Sequence, residues 1–157
     1  MISACDMRYA SQDAFFSIHE INVGMAADVG TLQRLPHLMP HGLVRELAYT
    51  GRRMTAEESL QSGLLNAVLP NKEALAEHVT HVAEQIVSNS PLALSGIKEM
   101  LTYARDHNVF EGLNYVATWN SAMLQSRDFQ EAISAQIQKK KPVFEDLAPV
   151  PSLVDEK

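Results

Sequence analysis

The stretch Phe15-Phe16-Ser17-Ile18-His19-Glu20-Ile21-Asn22-Val23-Gly24, continued by Met25-Ala26-Ala27-Asp28-Val29-Gly30-Thr31-Leu32-Gln33-Arg34-Leu35-Pro36, carries most of what can be read about this chain. Its first half is aromatic and β-branched, which predicts a strand from Ala14 to Val23. Period-two alternation then sets Glu20 on the strand face shared by Phe16 and Ile18. After Gly24 the pattern turns helical: Asp28 precedes Val29, Leu32 and Leu35, and Pro36 and Pro40 close the element. A glycine-containing turn between them would bring the carboxyl groups of Glu20 and Asp28 to one pocket. Two acids in unlike surroundings divide base and acid roles well. On the residues alone, Asp28 as a simple helix N-cap and Glu20 as an exposed or ion-paired strand residue remain open readings.

Upstream, Ser3 to Ala10 reads as another short strand, separated from the first by the turn-prone Ser11-Gln12-Asp13. Downstream, Leu43 to Thr50 reads as a helix ended by Gly51, and Thr55-Ala56-Glu57-Glu58 opens a helix that closes at Gly63. Leu64 to Leu69 suits a buried strand. From Asn71 onward only helices are predicted. Leu75, Val79, Val82 and Ile86 mark the first, Ser90-Pro91 opens the next, and Asn108 with Glu111 caps a third. Ser126 caps the last, whose stripe Phe129, Ile133 and Ile137 runs into Lys139-Lys140-Lys141 and Pro142. The expected class is α/β (α+β), mostly helical. Few strands and many helices leave the sheet short of partners.

Composition narrows the function. At 157 residues the chain has the size of one domain, and 46 % hydrophobic with 20 % charged residues is ordinary globular composition. No apolar run approaches the roughly 18 to 20 residues of a membrane span. The single Cys5 excludes an internal disulfide and a thiolate zinc site, and makes a reducing compartment the default. Thirteen basic against nineteen acidic residues, a net charge of −6, speaks against nucleic acid as a partner.

The runs Ser3-Ala4-Cys5-Asp6-Met7-Arg8-Tyr9-Ala10, Phe15-Phe16 with Glu20, and Val23 to Pro36 resemble the crotonase superfamily of enoyl-CoA hydratases and isomerases. The resemblance continues through Glu58-Ser59, Gly63-Leu64, Ser90-Pro91 and Ala117-Thr118-Trp119-Asn120 to the basic end near Lys139–Lys141, almost the whole chain. Hydratases typically carry Pro-Gly-Ala-Gly-Gly ahead of the Thr-Gln-Arg-Leu segment. Here Met25-Ala26-Ala27-Asp28-Val29-Gly30 puts an acid where they have glycine, and the chain most resembles the dienoyl-CoA isomerase branch.

That resemblance implies catalytic positions at Glu20 and Asp28, with Glu20 serving C2 and Asp28 serving C6 of a 3,5-dienoyl-CoA that becomes a 2,4-dienoyl-CoA in fatty-acid β-oxidation. It implies no redox cofactor and no metal, since the CoA thioester is the substrate. The superfamily's last helix lies near the CoA nucleotide, so Lys140 is assigned to a CoA phosphate. It also implies the C-terminal part of a ββα spiral: residues 1–70 carry the acidic pair, 71–141 form a helical oligomerisation region of a homotrimer or hexamer, and 142–157 form a flexible tail. An upstream acid and the oxyanion-hole loops would then precede Met1, so the chain alone is expected to be inactive. Enoyl-CoA hydratase and a non-catalytic oligomerisation module are the alternatives. The expected location is cytoplasmic, or mitochondrial or peroxisomal in a eukaryote. His78 and His81 read as a solvated face without a third metal ligand, His19, His37, His41 and His107 have no motif around them, and Cys5 reads as a small core residue.

Overall fold

A computed structural model describes residues 2–147. The elements in order are β1 (Tyr9–Ser11), β2 (Phe15–Phe16), α1 (Thr31–Arg34), α2 (His41–Thr50), β3 (Met54–Thr55), α3 (Ala56–Gln61), β4 (Ala67–Leu69), α4 (Lys72–Val87), α5 (Pro91–Tyr103), α6 (Val109–Met123) and α7 (Arg127–Ile137). Short 3-10 turns occupy Ile2–Ala4, Glu20–Val23 and Leu35–His37. The chain divides into two units, residues 1–81 and 82–157.

In the first unit β1 runs parallel to β4, with Tyr9 opposite Ala67 and Ser11 opposite Leu69. Arg8 and Asn66 extend the ladder: the Asn66 side chain accepts from the Arg8 N–H at 2.8 Å, and the Arg8 carbonyl accepts from the Asn66 N–H at 2.7 Å. β2 pairs antiparallel with β3, Phe16 opposite Met54. Below them α2 turns one face inward. Its Val44 and Leu47 join Ile18, Ala27, Leu35, Met39, Met54 and Leu64 in one buried cluster. Fully burying a side chain of this size contributes about 1.5–3 kcal/mol. Gly51 ends α2 in the left-handed region (φ 63°), its N–H donating to the Leu47 carbonyl at 2.9 Å. Arg52 then grips Glu58 through two guanidinium N–H groups at 2.6 and 3.0 Å and Glu46 at 2.6 Å. Led by that hydrogen bond, Arg52 holds the Glu58 carboxyl below its usual range.

The strands are shorter than expected, for reasons that lie far off in sequence. Of Ser3 to Ala10 only Tyr9 and Ala10 are strand. Ile2–Ala4 is a 3-10 turn, and the Arg8 guanidinium reaches back to the carbonyls of Cys5 and Leu64, both at 2.6 Å, curling this segment so that only Tyr9–Ser11 pairs. Cys5 consequently faces solvent instead of the core. Leu64 and Leu65 are buried in the turn before β4, and pairing begins only at Ala67.

In the second unit the capping signals are all in place. Ser90 Oγ accepts from the Ala93 N–H (3.0 Å), Asn108 and Glu111 form a reciprocal capping box with both arms at 3.0 Å, and Ser126 Oγ accepts from the Phe129 N–H (3.3 Å). The Ser90 hydroxyl also donates to Asp128 at the start of α7. Gly96 on α5 is buried beneath Trp119 of α6: a Cβ there would fall 2.6 Å from the indole Nε1. α7 ends in a Schellman pattern, with the Lys139 N–H on the Gln136 carbonyl (3.2 Å), the Lys140 N–H on the Ala135 carbonyl (3.0 Å), and Lys139 itself left-handed at φ 53°. Of the stretch expected to be a flexible tail, 148–157 lies outside the described residues. Within its described part the Val143 N–H donates to Glu131 at 3.2 Å.

Candidate functional site

The first unit contains a cavity of about 160 Å³ whose lining includes Phe16, Ile18, Glu20, Val29 and Thr31. Its deeper walls are Leu47, Met54 and Leu64, each at most 2 % exposed, so the cavity reaches the apolar core while holding one carboxylate. Phe16, Ile18 and Glu20 do share this surface, but not as one strand. β2 stops at Phe16, and Glu20 begins a 3-10 turn closed by Gly24, whose N–H donates to the Ile21 carbonyl at 3.1 Å.

The reason for the bend is the corner at Gly51. A Cβ on Gly51 would lie 2.5 Å from Asn22 Nδ2 and 2.9 Å from Ile21 Cγ2, so this bare corner is the seat on which the Glu20 turn rests. The Ser17 hydroxyl donates to the Gly51 carbonyl at 3.0 Å on the way in. Ladder pairing and this seat compete for the chain after Phe16, and the seat takes it.

Asp28 sits differently from the expectation. It does not cap a helix: α1 starts at Thr31, and its N-cap is Gly30 at φ 82°. Asp28 lies exposed in the loop ahead of it, outside the cavity lining, while its neighbour Val29 contributes to the cavity wall. The structure therefore sets Glu20 on the cavity and Asp28 one residue from it, without bringing both carboxylates onto one lining. α1 does end ahead of Pro36, at Arg34 with Leu35 as its C-cap, and Pro36 lies inside the 3-10 turn Leu35–His37 that follows. Lys140 is exposed at the end of α7 in the second unit.

Sequence reading missed Arg34, half-buried, whose guanidinium donates to the Val29 carbonyl at 3.0 Å, and the polar groups Ser3, Ser17 and Thr31 on the cavity. Arg34 stands four residues after Gly30, one helical turn, and that spacing was the available signal. His78 is not simply solvated, since its ring meets Tyr9 edge-on with centroids 5.1 Å apart. Among the described residues no group of three or more His, Cys, Asp or Glu side chains is placed to hold a metal, and no helix is long and apolar enough to cross a membrane.

The profile of the enoyl-CoA hydratase/isomerase family matches residues 1–147. The chain belongs to that family. It is 49 % identical over 142 residues to the human mitochondrial Δ(3,5)-Δ(2,4)-dienoyl-CoA isomerase, covering 90 % of this chain and 43 % of that protein. With the peroxisomal Δ(3,5)-Δ(2,4)-dienoyl-CoA isomerase of Arabidopsis thaliana it shares 50 % over 147 residues, 94 % of this chain and 53 % of the relative. The crystal structure of an enoyl-CoA hydratase from Bacillus anthracis superposes with a TM-score of 0.85 at 32 % identity, covering 90 % of this chain and 55 % of that one. This member of the enoyl-CoA hydratase/isomerase family thus spans about half the length of the curated relatives it matches, and its architecture is that of crotonase-fold proteins.

Proposed function

We propose that this chain carries the carboxylate-bearing half of a 3,5-dienoyl-CoA to 2,4-dienoyl-CoA isomerase. The observation that carries the reading is an acid at position 28 in the loop beside a cavity that already holds Glu20. A higher identity to dienoyl-CoA isomerases than to the superposed hydratase supports it.

In this reading Glu20 removes a proton from C2. The electron pair enters the conjugated system, the thioester oxygen carries the charge, and delivery of a proton at C6 by Asp28 leaves the 2,4-diene. No electrons are gained or lost overall, so no redox cofactor is required, and in this reading the two carboxylates move both protons without a metal. The apolar walls suit the acyl chain and Lys140 a CoA phosphate. The exposed apolar faces of the helices after residue 71 suit a trimer or hexamer; in a eukaryote the compartment proposed is that of the relatives, mitochondrion or peroxisome, and otherwise the cytoplasm. Oxyanion donors are assigned to the half of the relatives that this chain does not span. Removing one such donor costs about a hundredfold or more in rate, so the chain alone is expected to turn over negligibly.

The test joins residues 1–147 to the preceding half of the Arabidopsis relative and follows 3,5-dienoyl-CoA by its ultraviolet absorbance. Isomerisation that disappears in Asp28→Asn, with acyl-CoA binding retained, supports the reading. Hydration of a 2-enoyl-CoA instead would identify a hydratase, and sustained turnover by the chain alone would overturn the claim of inactivity.

A further inference from the structure

We infer that Arg34 is a positioning residue for Asp28, acting through the backbone of the loop that bears it. Asp28 belongs to the irregular segment between Gly24 and Thr31, where no ladder or helix fixes the chain. Its two neighbours are nevertheless held. On one side Ala27 is 7 % exposed and packed in the cluster of Ile18 and Leu35. On the other the Val29 carbonyl accepts from the Arg34 guanidinium at 3.0 Å, and the Arg34 backbone N–H donates to the Gly30 carbonyl at 3.1 Å. Buried methyl and anchored carbonyl bracket the one residue between them.

Gly30 makes this possible. It adopts φ +82°, and a Cβ there would stand 2.2 Å from Arg34 Nη1 and 2.9 Å from Cζ, so the guanidinium occupies the space a side chain would fill. A planar fork suits that narrow gap, whereas an ammonium supplies a point charge on a flexible stem. Among the described residues Asp28 makes no ion pair, so the influence of Arg34 on it runs through peptide geometry and not through contact of charges. The task of Asp28 rests on the isomerase reading; the clamp rests on the geometry of residues 27–34.

Two measurements separate these claims. In the chain itself, ¹⁵N relaxation should give Val29 a backbone order parameter of about 0.85, falling below about 0.6 in Arg34→Met, with Leu47 unchanged. Arg34→Lys should fall between, and Gly30→Ala should loosen Val29 while leaving Arg34 present. An unchanged Val29 in Arg34→Met, or an equal loss at Leu47, overturns the clamp. In the joined isomerase, Arg34→Met should lower kcat about a hundredfold with KM within about twofold, and Arg34→Lys should recover part of the loss. A native kcat in Arg34→Met removes the positioning role. If the joined protein with native Arg34 does not isomerise, the functional reading fails, and the order parameters alone decide the clamp.

Discussion

The two units are specified in opposite ways. Ahead of α4, the first unit has short helices, several without a side-chain cap, yet Ile18, Leu35, Met39, Val44, Leu47, Met54 and Leu64 are nearly all removed from solvent. Residues 82–147 have long helices capped by Ser90, Asn108 and Ser126, yet Ile97, Leu113 and Ile137 stand 57, 60 and 77 % exposed. In the first unit distant packing imposes local structure. In the second, local hydrogen bonds define helices whose apolar faces are left open.

The largest effect that tests this contrast is a truncation in the first core. Met54→Ala should cost about 2–5 kcal/mol in urea unfolding, whereas Leu113→Ala should stay within about 0.5 kcal/mol; equal costs would erase the distinction. Gly96→Ala probes a tight seam of the second unit, between α5 and α6. Its Cβ would press on Trp119, and a loss of about 1–3 kcal/mol is expected, reported by the fluorescence of the chain's single tryptophan. Next comes Asn108→Ala, which removes the cap of α6. About 1 kcal/mol should go, with helicity lost by circular dichroism and no change at Met54.

The smallest effect is one of pH. His107 Nδ1 lies 2.9 Å from both the Tyr103 carbonyl and Asp106, with its ring stacked on Tyr103 at 3.6 Å. The Tyr103 carbonyl foremost, then Asp106, with Glu111 adding to them, holds His107 protonated to higher pH than its ordinary 6.5, against the opposing effect of desolvation. A folded value above the unfolded one stabilises fully below about 6.5 and is lost as pH rises through the folded value. A melting temperature that declines above this pH in the native chain, and less so in His107→Gln, is expected. Parallel curves would remove His107 from the account.

What could be read in advance follows the same division. Ser90, Asn108, Ser126 and Gly51 were legible because a cap and its partners lie within a turn of each other. Glu20 was recognised as a candidate, but the strand it was drawn on ends at Phe16, because the seat at Gly51 is 31 residues away from Glu20 in sequence and leaves no local trace. Asp28 looked like an N-cap since Asp before a helical pattern ordinarily is one. Gly30 took that position, and the guanidinium folded over it depends on a three-dimensional fit that periodicity does not encode. Cys5 was placed in a core by its residue type, and the reach of Arg8 to two carbonyls turned it outward.

The parallel ladder of β1 and β4 also sets an order of events. Arg8 and Asn66, which join across it, are 58 positions apart, whereas the caps of the later helices link residues three apart. Closing so long a loop is entropically costly before its contacts form, and local contacts are made faster. During synthesis the ladder has no second strand until Leu69 has left the ribosome. The ladder is therefore slower to close than the helices made after it, which need only their own neighbours.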